Sequence, residues 1–236
     1  MNFAFLGQVR SLRAPPPPSI TKIQSVTGSG ATLALNGVAS GNLLVYVSSY
    51  HRSSSTGVKE TAPTDSNGTF SAASNDLPLV ASGLDIGASI FFEANTAAGT
   101  HTVTPQANTI HNCTLTEYSG MLTAGTLDQN KSAQDGAASH LSQVTGTTGA
   151  TSQAKELSVI ALALLQSAGG NPVGLTDPVS TYTTLQIGQN TASNIGTEHS
   201  FEILSSVGAQ SATFDWTTVD AVVCASMGCI ATFKAA

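Results

Sequence analysis

Glu156-Leu-Ser-Val-Ile-Ala-Leu-Ala-Leu-Leu-Gln166 carries the strongest buried pattern in the chain, and its reading decides the fold. In an extended strand Leu157, Val159 and Ala161 point to one side, and Ile160, Leu162 and Leu164 to the other. Ala and Leu also favour helix. A helix here would lack a polar face, however, and strand patterns lie on either side of it. The run therefore reads as a strand covered on both faces. Asn42 to His51 repeats the pattern, being apolar on both faces as far as Tyr46.

Outward from these two runs the signals are strands and turns. Ile20, Ile23 and Val26 begin a short strand; Ala31, Leu33 and Leu35 alternate and end at the hairpin-type turn Asn36-Gly37. Residues 52–86 read as long loops with strand pieces around Phe70 and Leu79. Ala88 to Asn95 is a strand with Phe91 and Phe92 on opposite faces. Thr100 to Pro105 returns after Ala97-Ala98-Gly99, and Thr109 to Ser119 is long, with Cys113 and Leu115 on one face and Ile110 and Tyr118 on the other. Residues 120–155 form a polar, Gly-rich excursion with short strands near Leu127 and Leu141. Further strands are expected at Tyr182–Ile187, Glu198–Ser206, Ser211–Thr217 and Ala221–Lys234, the last either continuous or broken at Gly228; in Ser211–Thr217, Ala212, Phe214 and Trp216 share a face. Ten to twelve strands, no helix and no fixed-period repeat predict an all-β, antiparallel β-sandwich, jelly-roll-like, spanning residues 19–236 as a single domain.

Composition narrows the function. Charged residues make up 9% of the chain, far below the roughly 25% of typical soluble domains, while hydrophobic residues reach 41%, enough for a core. The polar surface must come mainly from Ser, Thr, Asn, Gln and Gly. Net charge is −6 with eight Lys and Arg and no basic stripe, which argues against nucleic acid and against a membrane surface as partners. Met1-Asn2-Phe3-Ala4-Phe5-Leu6 lacks a basic start and a full apolar run, so no signal peptide is expected, and the product is expected to be made in the cytoplasm of its host.

Residues 1–18 stand apart as an extended N-terminal arm. Pro15-Pro16-Pro17-Pro18 enforces a stiff polyproline II spacer. Before it, Phe3, Phe5, Leu6, Val9 and Leu12, interspersed with Arg10 and Arg13, have no core of their own. They read as a disordered terminus, as an arm that docks on a neighbouring subunit or as a cryptic targeting segment; these seven residues are the candidate partner-binding set.

Catalytic and metal-binding signals are thin. The five His residues are scattered; His101 and His111, on either side of Pro105, are the one pairing that a hairpin would bring together. Cys113, Cys224 and Cys229 are odd in number. Cys224 and Cys229 on one strand would face opposite ways about 16 Å apart, beyond disulfide reach. They read as small buried hydrophobes. Asp65-Ser66-Asn67-Gly68 has the look of a calcium-loop start without the later Glu and reads as a turn. Glu93, Glu117 and Glu202 lie on expected strands and would need to share a face to serve as glycosidase carboxylates. No nucleophile elbow, P-loop or dinucleotide fingerprint occurs. Neither an enzyme nor a cofactor is expected.

From Leu43 to Phe233 the chain resembles a β-sandwich module of bacterial surface proteins and phage virion proteins. The segments that carry the resemblance are Gly99-Thr-His-Thr-Val-Thr-Pro105, Leu115-Thr-Glu-Tyr-Ser-Gly120 with Leu127-Asp128 after it, Lys155-Glu-Leu-Ser-Val-Ile-Ala161, Gly208-Ala-Gln-Ser-Ala-Thr-Phe214 and Ala231-Thr-Phe233. The stand-alone form, with its Pro-rich arm, resembles a phage capsid decoration (cement) protein. The resemblance implies a non-enzymatic structural protein on the outer surface of a bacteriophage head, a homotrimer whose partners are the major capsid protein or other virion proteins. A tail fibre or baseplate component, or a carbohydrate-binding surface module with glycan as partner, are the alternatives.

Overall fold

The computed structural model describes residues 19–30, 32–52, 56–81, 83–107, 109–136, 141–166, 181–190, 195–216 and 224–236. Among these residues there are sixteen strands and no helix, so the all-β antiparallel expectation holds. The arm, residues 1–18, lies outside the described residues.

Two five-membered ladders form the body. The first runs β1 (Thr21–Ser29), β9 (Ile110–Ser119), β3 (Leu43–Arg52), β7 (Leu84–Glu93) and β5 (Ser71–Ser74), with β6 (Leu79–Ala81) also on β7. The second runs β10 (Leu127–Asp135), β16 (Cys224–Lys234), β12 (Glu156–Gln166), β14 (Ile195–Ile203) and β13 (Thr183–Asn190). Their facing sides enclose the central core. Leu43, Val45, Val47, Ile86 and Ile90 of the first sheet meet Leu157, Val159, Ala161, Ala163 and Phe233 of the second. Each Val, Leu, Ile or Phe among them, buried, contributes on the order of 1.5–3 kcal/mol.

β3 and β12 are central strands for the reason expected: both their faces are covered. On the outer side of β3, Leu44 and Tyr46 pack under a small sheet made of β2 (Leu33–Val38), β8 (Gly99–Thr104) and β4 (Thr64–Asp65), through Leu33, Leu35 and Val103. On the outer side of β12, Ile160, Leu162 and Leu164 pack under β15 (Thr213–Asp215) and its flanks, through Ala212, Phe214 and Trp216; β15 pairs with β11 (Ser142–Val144). Of the two readings at Gly228, continuous strand or break, the structure has the continuous one. β16 runs through it, and the glycine serves proximity instead, because a β-carbon there would stand 2.7 Å from the Val144 carbonyl oxygen of β11.

The strands do not interleave between the sheets as in a jelly roll. Every strand of the first sheet precedes Gly120 and every strand of the second follows Leu122. The two halves repeat one plan. In each, the first strand lies at an edge and pairs with the half's last strand, which pairs with a doubly covered central strand (β1-β9-β3 and β10-β16-β12). In each, the second strand pairs with the penultimate one to make the outer cover (β2-β8 and β11-β15).

The register agrees in detail. Leu44 of β3 is flanked by Glu117 and Glu93, with Gln24 next in the row; Ser158 of β12 is flanked by Thr232 and Glu202, with Gln129 next. The edge pairs slip at the same place, between Lys22 and Gln24 in one half and between Leu127 and Gln129 in the other. The opposite edges slip alike, between Ala72 and Ser74 and between Thr184 and Gln186.

Candidate functional site

The ionisable side chains are few, and the fold buries most of them. In β8 the alternation Thr100-His101-Thr102-Val103-Thr104 places His101 on the inward face with Val103. β4 pairs with β8 through Asp65 opposite Val103, and Ser66 locks the turn by donating its N–H to the Thr102 carbonyl at 3.1 Å and accepting the Thr102 N–H on its hydroxyl at 3.0 Å. Asp65 Oδ2 then lies 2.5 Å from His101 Nδ1, and His101 Nε2–H donates to the Ala97 carbonyl at 3.0 Å.

Glu93, the last residue of β7, completes the group; one ligand atom from each of the three side chains lies within 4.8 Å of the others. Gly68 leaves room for the Glu93 carboxylate, which a β-carbon there would displace. Burial, reinforced by the Asp65 charge and opposed by His101, holds the Glu93 carboxyl above its usual range. Burial alone would lower His101, but the Ala97 carbonyl and the two carboxylates outweigh it and hold the imidazole above its usual value.

A second polar group lies farther along the outer face of β3. Ser48 donates to Glu60 Oε1 at 3.0 Å, and His111 Nε2 stands 2.8 Å from the same oxygen without being aligned for a hydrogen bond. Tyr46 and Cys113 contact each other at 2.9 Å through hydroxyl and thiol. Burial, with the Glu60 charge adding, pushes the Cys113 thiol up to about 12. Such a thiol is not a nucleophile at neutral pH. Arg52 donates to the Val58 carbonyl, stacks over the Tyr50 ring and pairs with Asp85 at 3.7 Å. Ser48, Glu60, His111 and Cys113 are all fully enclosed, so this resembles a catalytic constellation only in residue types.

His199 bridges the two sheets. Ser49 donates to the Leu162 carbonyl at 2.6 Å, so it accepts from His199 Nε2–H at 2.9 Å, and Thr114 lies 2.8 Å from Nδ1. Burial lowers its pKa to about 3, so the ring is neutral.

The residues singled out from sequence are distributed as follows. His101 and His111 fall in different sheets and face different carboxylates, Asp65 and Glu60. Glu93 and Glu117 do share a face, flanking Leu44, but Glu117 is occupied by Gln24 and Asn42 side chains at 2.6 Å each and by the Ala39 N–H at 2.9 Å. Glu202 is in the other sheet, bonded to Thr181. Cys113 and Cys229 are free and buried, in keeping with the reading as small hydrophobes. Phe3, Phe5, Leu6, Val9, Arg10, Leu12 and Arg13 lie outside the described residues. The convergence of Asp65, Glu93 and His101 was not anticipated; the one signal for it was a histidine at an inward phase of an alternating strand.

A concavity of about 390 Å³ lies where the edges β5 and β10 meet; Lys59, Asp76, Leu77, Ser132, Ala133, Gln134 and Met227 line it. A shallower groove of about 240 Å³ adjoins it through Ala133 and Gln134 and reaches Val144. Val58, Leu77, Val80, Leu141 and Val144 are exposed. No helix of the described residues is long and apolar enough to cross a membrane. No protein-family model, curated protein or solved structure matches the chain.

Proposed function

We propose that the protein is a non-enzymatic structural component of a virion, a decoration (cement) protein bound to the outer surface of a phage head. The observation that carries the reading is the surface around β10. This edge strand pairs on one side only among the described residues, and exposed aliphatic side chains and a double groove lie beside it, with Lys59, Asp76 and Asp135 as the charged members of the grooves' lining. Open edges and apolar patches of this kind suit docking on another protein. The segments that resemble phage virion modules support the same reading.

The arm would add a second attachment through Phe3, Phe5, Leu6, Val9 and Leu12, with Arg10 and Arg13 available to acidic groups of the neighbour. The glycan alternative finds less support. All four Tyr and the Trp are buried, so they offer no stacking platform for a sugar.

The deciding experiment locates the protein in purified particles by labelled electron microscopy and measures copies per particle. Copies across the head at a number commensurate with the capsid lattice are expected. Confinement to the tail would overturn the head assignment, and absence from particles would overturn the virion. Deleting residues 1–18 should abolish particle binding and leave the domain folded; unchanged occupancy would remove the arm from the account.

A further inference from the structure

We propose that Asp65, Glu93 and His101 bind a divalent transition-metal cation of the Zn²⁺ class, which clips the outer cover of the first half to its main sheet. The three side chains come from β4, β7 and β8, so an ion held by all three ties β4 and β8, which share a two-residue ladder, to β7 of the main sheet, which pairs with neither.

Four features converge. Each residue offers one donor atom, and these atoms lie within 4.8 Å of one another; the edge of a tetrahedron of 2.0 Å bonds is about 3.3 Å. The His101–Asp65 pair, at 2.5 Å, has to open by about 0.8 Å to reach that spacing, which a small side-chain rotation supplies.

Glu93 is 8% exposed, and its Oε2 has no hydrogen-bond partner. Without a cation Glu93 faces the Asp65 carboxylate and can bond to it only by holding a proton, whereas a cation satisfies all three side chains at once.

The imidazole is already set as a ligand. Its Nε2–H is committed to the Ala97 carbonyl, which leaves the Nδ1 lone pair toward the carboxylates. A backbone carbonyl on the far nitrogen is the usual support of a metal-bound histidine.

Finally, the cluster breaks the plan of the two halves. The cover strand of the second half and its flanks carry only apolar residues at inward positions, Ala212, Phe214 and Trp216, where β8 carries His101. Packing alone did not call for a histidine there.

One imidazole and two carboxylates suit Zn²⁺, Co²⁺ or Mn²⁺. Ca²⁺ requires six to eight oxygens, and Mg²⁺ keeps most of its waters. The Asp65 side chain is enclosed, but Gly68 beside Glu93 is only half-buried, so an ion enters from that side and a water can fill the fourth position.

The test uses the full chain after chelation and dialysis. Co²⁺ titration followed by visible absorption should saturate at one equivalent with the intense bands of a low-coordinate site, and Zn²⁺ should displace them. Zn²⁺ should raise the thermal midpoint by roughly 5 °C or more at saturation. Glu93→Gln keeps the volume and is expected to fold while losing at least about tenfold in affinity and the Co²⁺ bands; Asp65→Asn, likewise equal in volume, provides a second variant. A wild-type protein that binds neither ion at millimolar concentration overturns the proposal. So does a Glu93→Gln protein with unchanged affinity and spectrum, since the ion would then sit elsewhere.

Discussion

His199 shows how one buried residue sets an acid limit on the fold. Its neutral ring is held between Ser49 and Thr114 with a pKa near 3, against about 6.5 when unfolded. Between those values the unfolded chain takes up a proton that the folded chain refuses. This contribution is therefore intact above pH 6.5 and is lost as pH falls toward 3, with a slope approaching 1.4 kcal/mol per pH unit at most, as an order of magnitude. Urea unfolding across pH 3–7 should show a shallower loss in His199→Gln than in the wild type; parallel curves would remove His199 as the cause. Glu117 acts differently, by tying β1, β9 and the turn before β3 through three hydrogen bonds. Glu117→Ala leaves the donors of Gln24, Asn42 and Ala39 unanswered and should cost about 2–4 kcal/mol in the same assay. At this scale the sequence was legible only in part. Glu93, Asp65 and His101 were each visible, but their convergence depends on a two-residue pairing of β4 with β8 that no periodicity reports.

Among the elements, hydrophobic pattern read well and short strands did not. The doubly covered strands β3 and β12 were legible because apolar residues occupy both phases of the alternation, and only a strand between layers has use for them. Strands β4, β6 and β11 have two or three residues each, and pairing rather than composition makes them strands. β10 is longer than its sequence suggested. Its Gln, Asn, Lys and Ser side chains disguise an edge whose ladder is supplied by β16. Gly228 left a break as one of two readings, because glycine weakens strands; it is instead where β11 crosses close to β16. Gly228→Ala should therefore displace β11 from β16 and cost about 1–3 kcal/mol by crowding. Amide exchange should locate the loosened protection in Ser142–Val144; an unchanged pattern there would argue that the backbone adjusts freely.

For the whole molecule, the sandwich was foreseeable and its construction from two halves of one plan was not. The equivalence lies in strand order, shared slips and matched rows such as Gln24–Glu117–Leu44–Glu93 beside Gln129–Thr232–Ser158–Glu202. Side-chain identity differs almost everywhere else, so no repeat shows in the letters. Each half presents an apolar inner face that the other covers. A fragment of residues 19–122 should consequently associate with itself, as a dimer or larger species in sedimentation, because nothing else hides Leu43, Val45, Val47 and Ile90. A stable monomeric fragment would show that the half needs no such cover.

The burial of the two described free thiols has a practical consequence for following this molecule in time. Cys113 belongs to the outer core of the first half and Cys229 to the central core. Both are shut away from alkylating reagents until their own layer parts. In a Cys224→Ser background, the order in which the two become modified reads out which opens first, the cover or the seam between the halves.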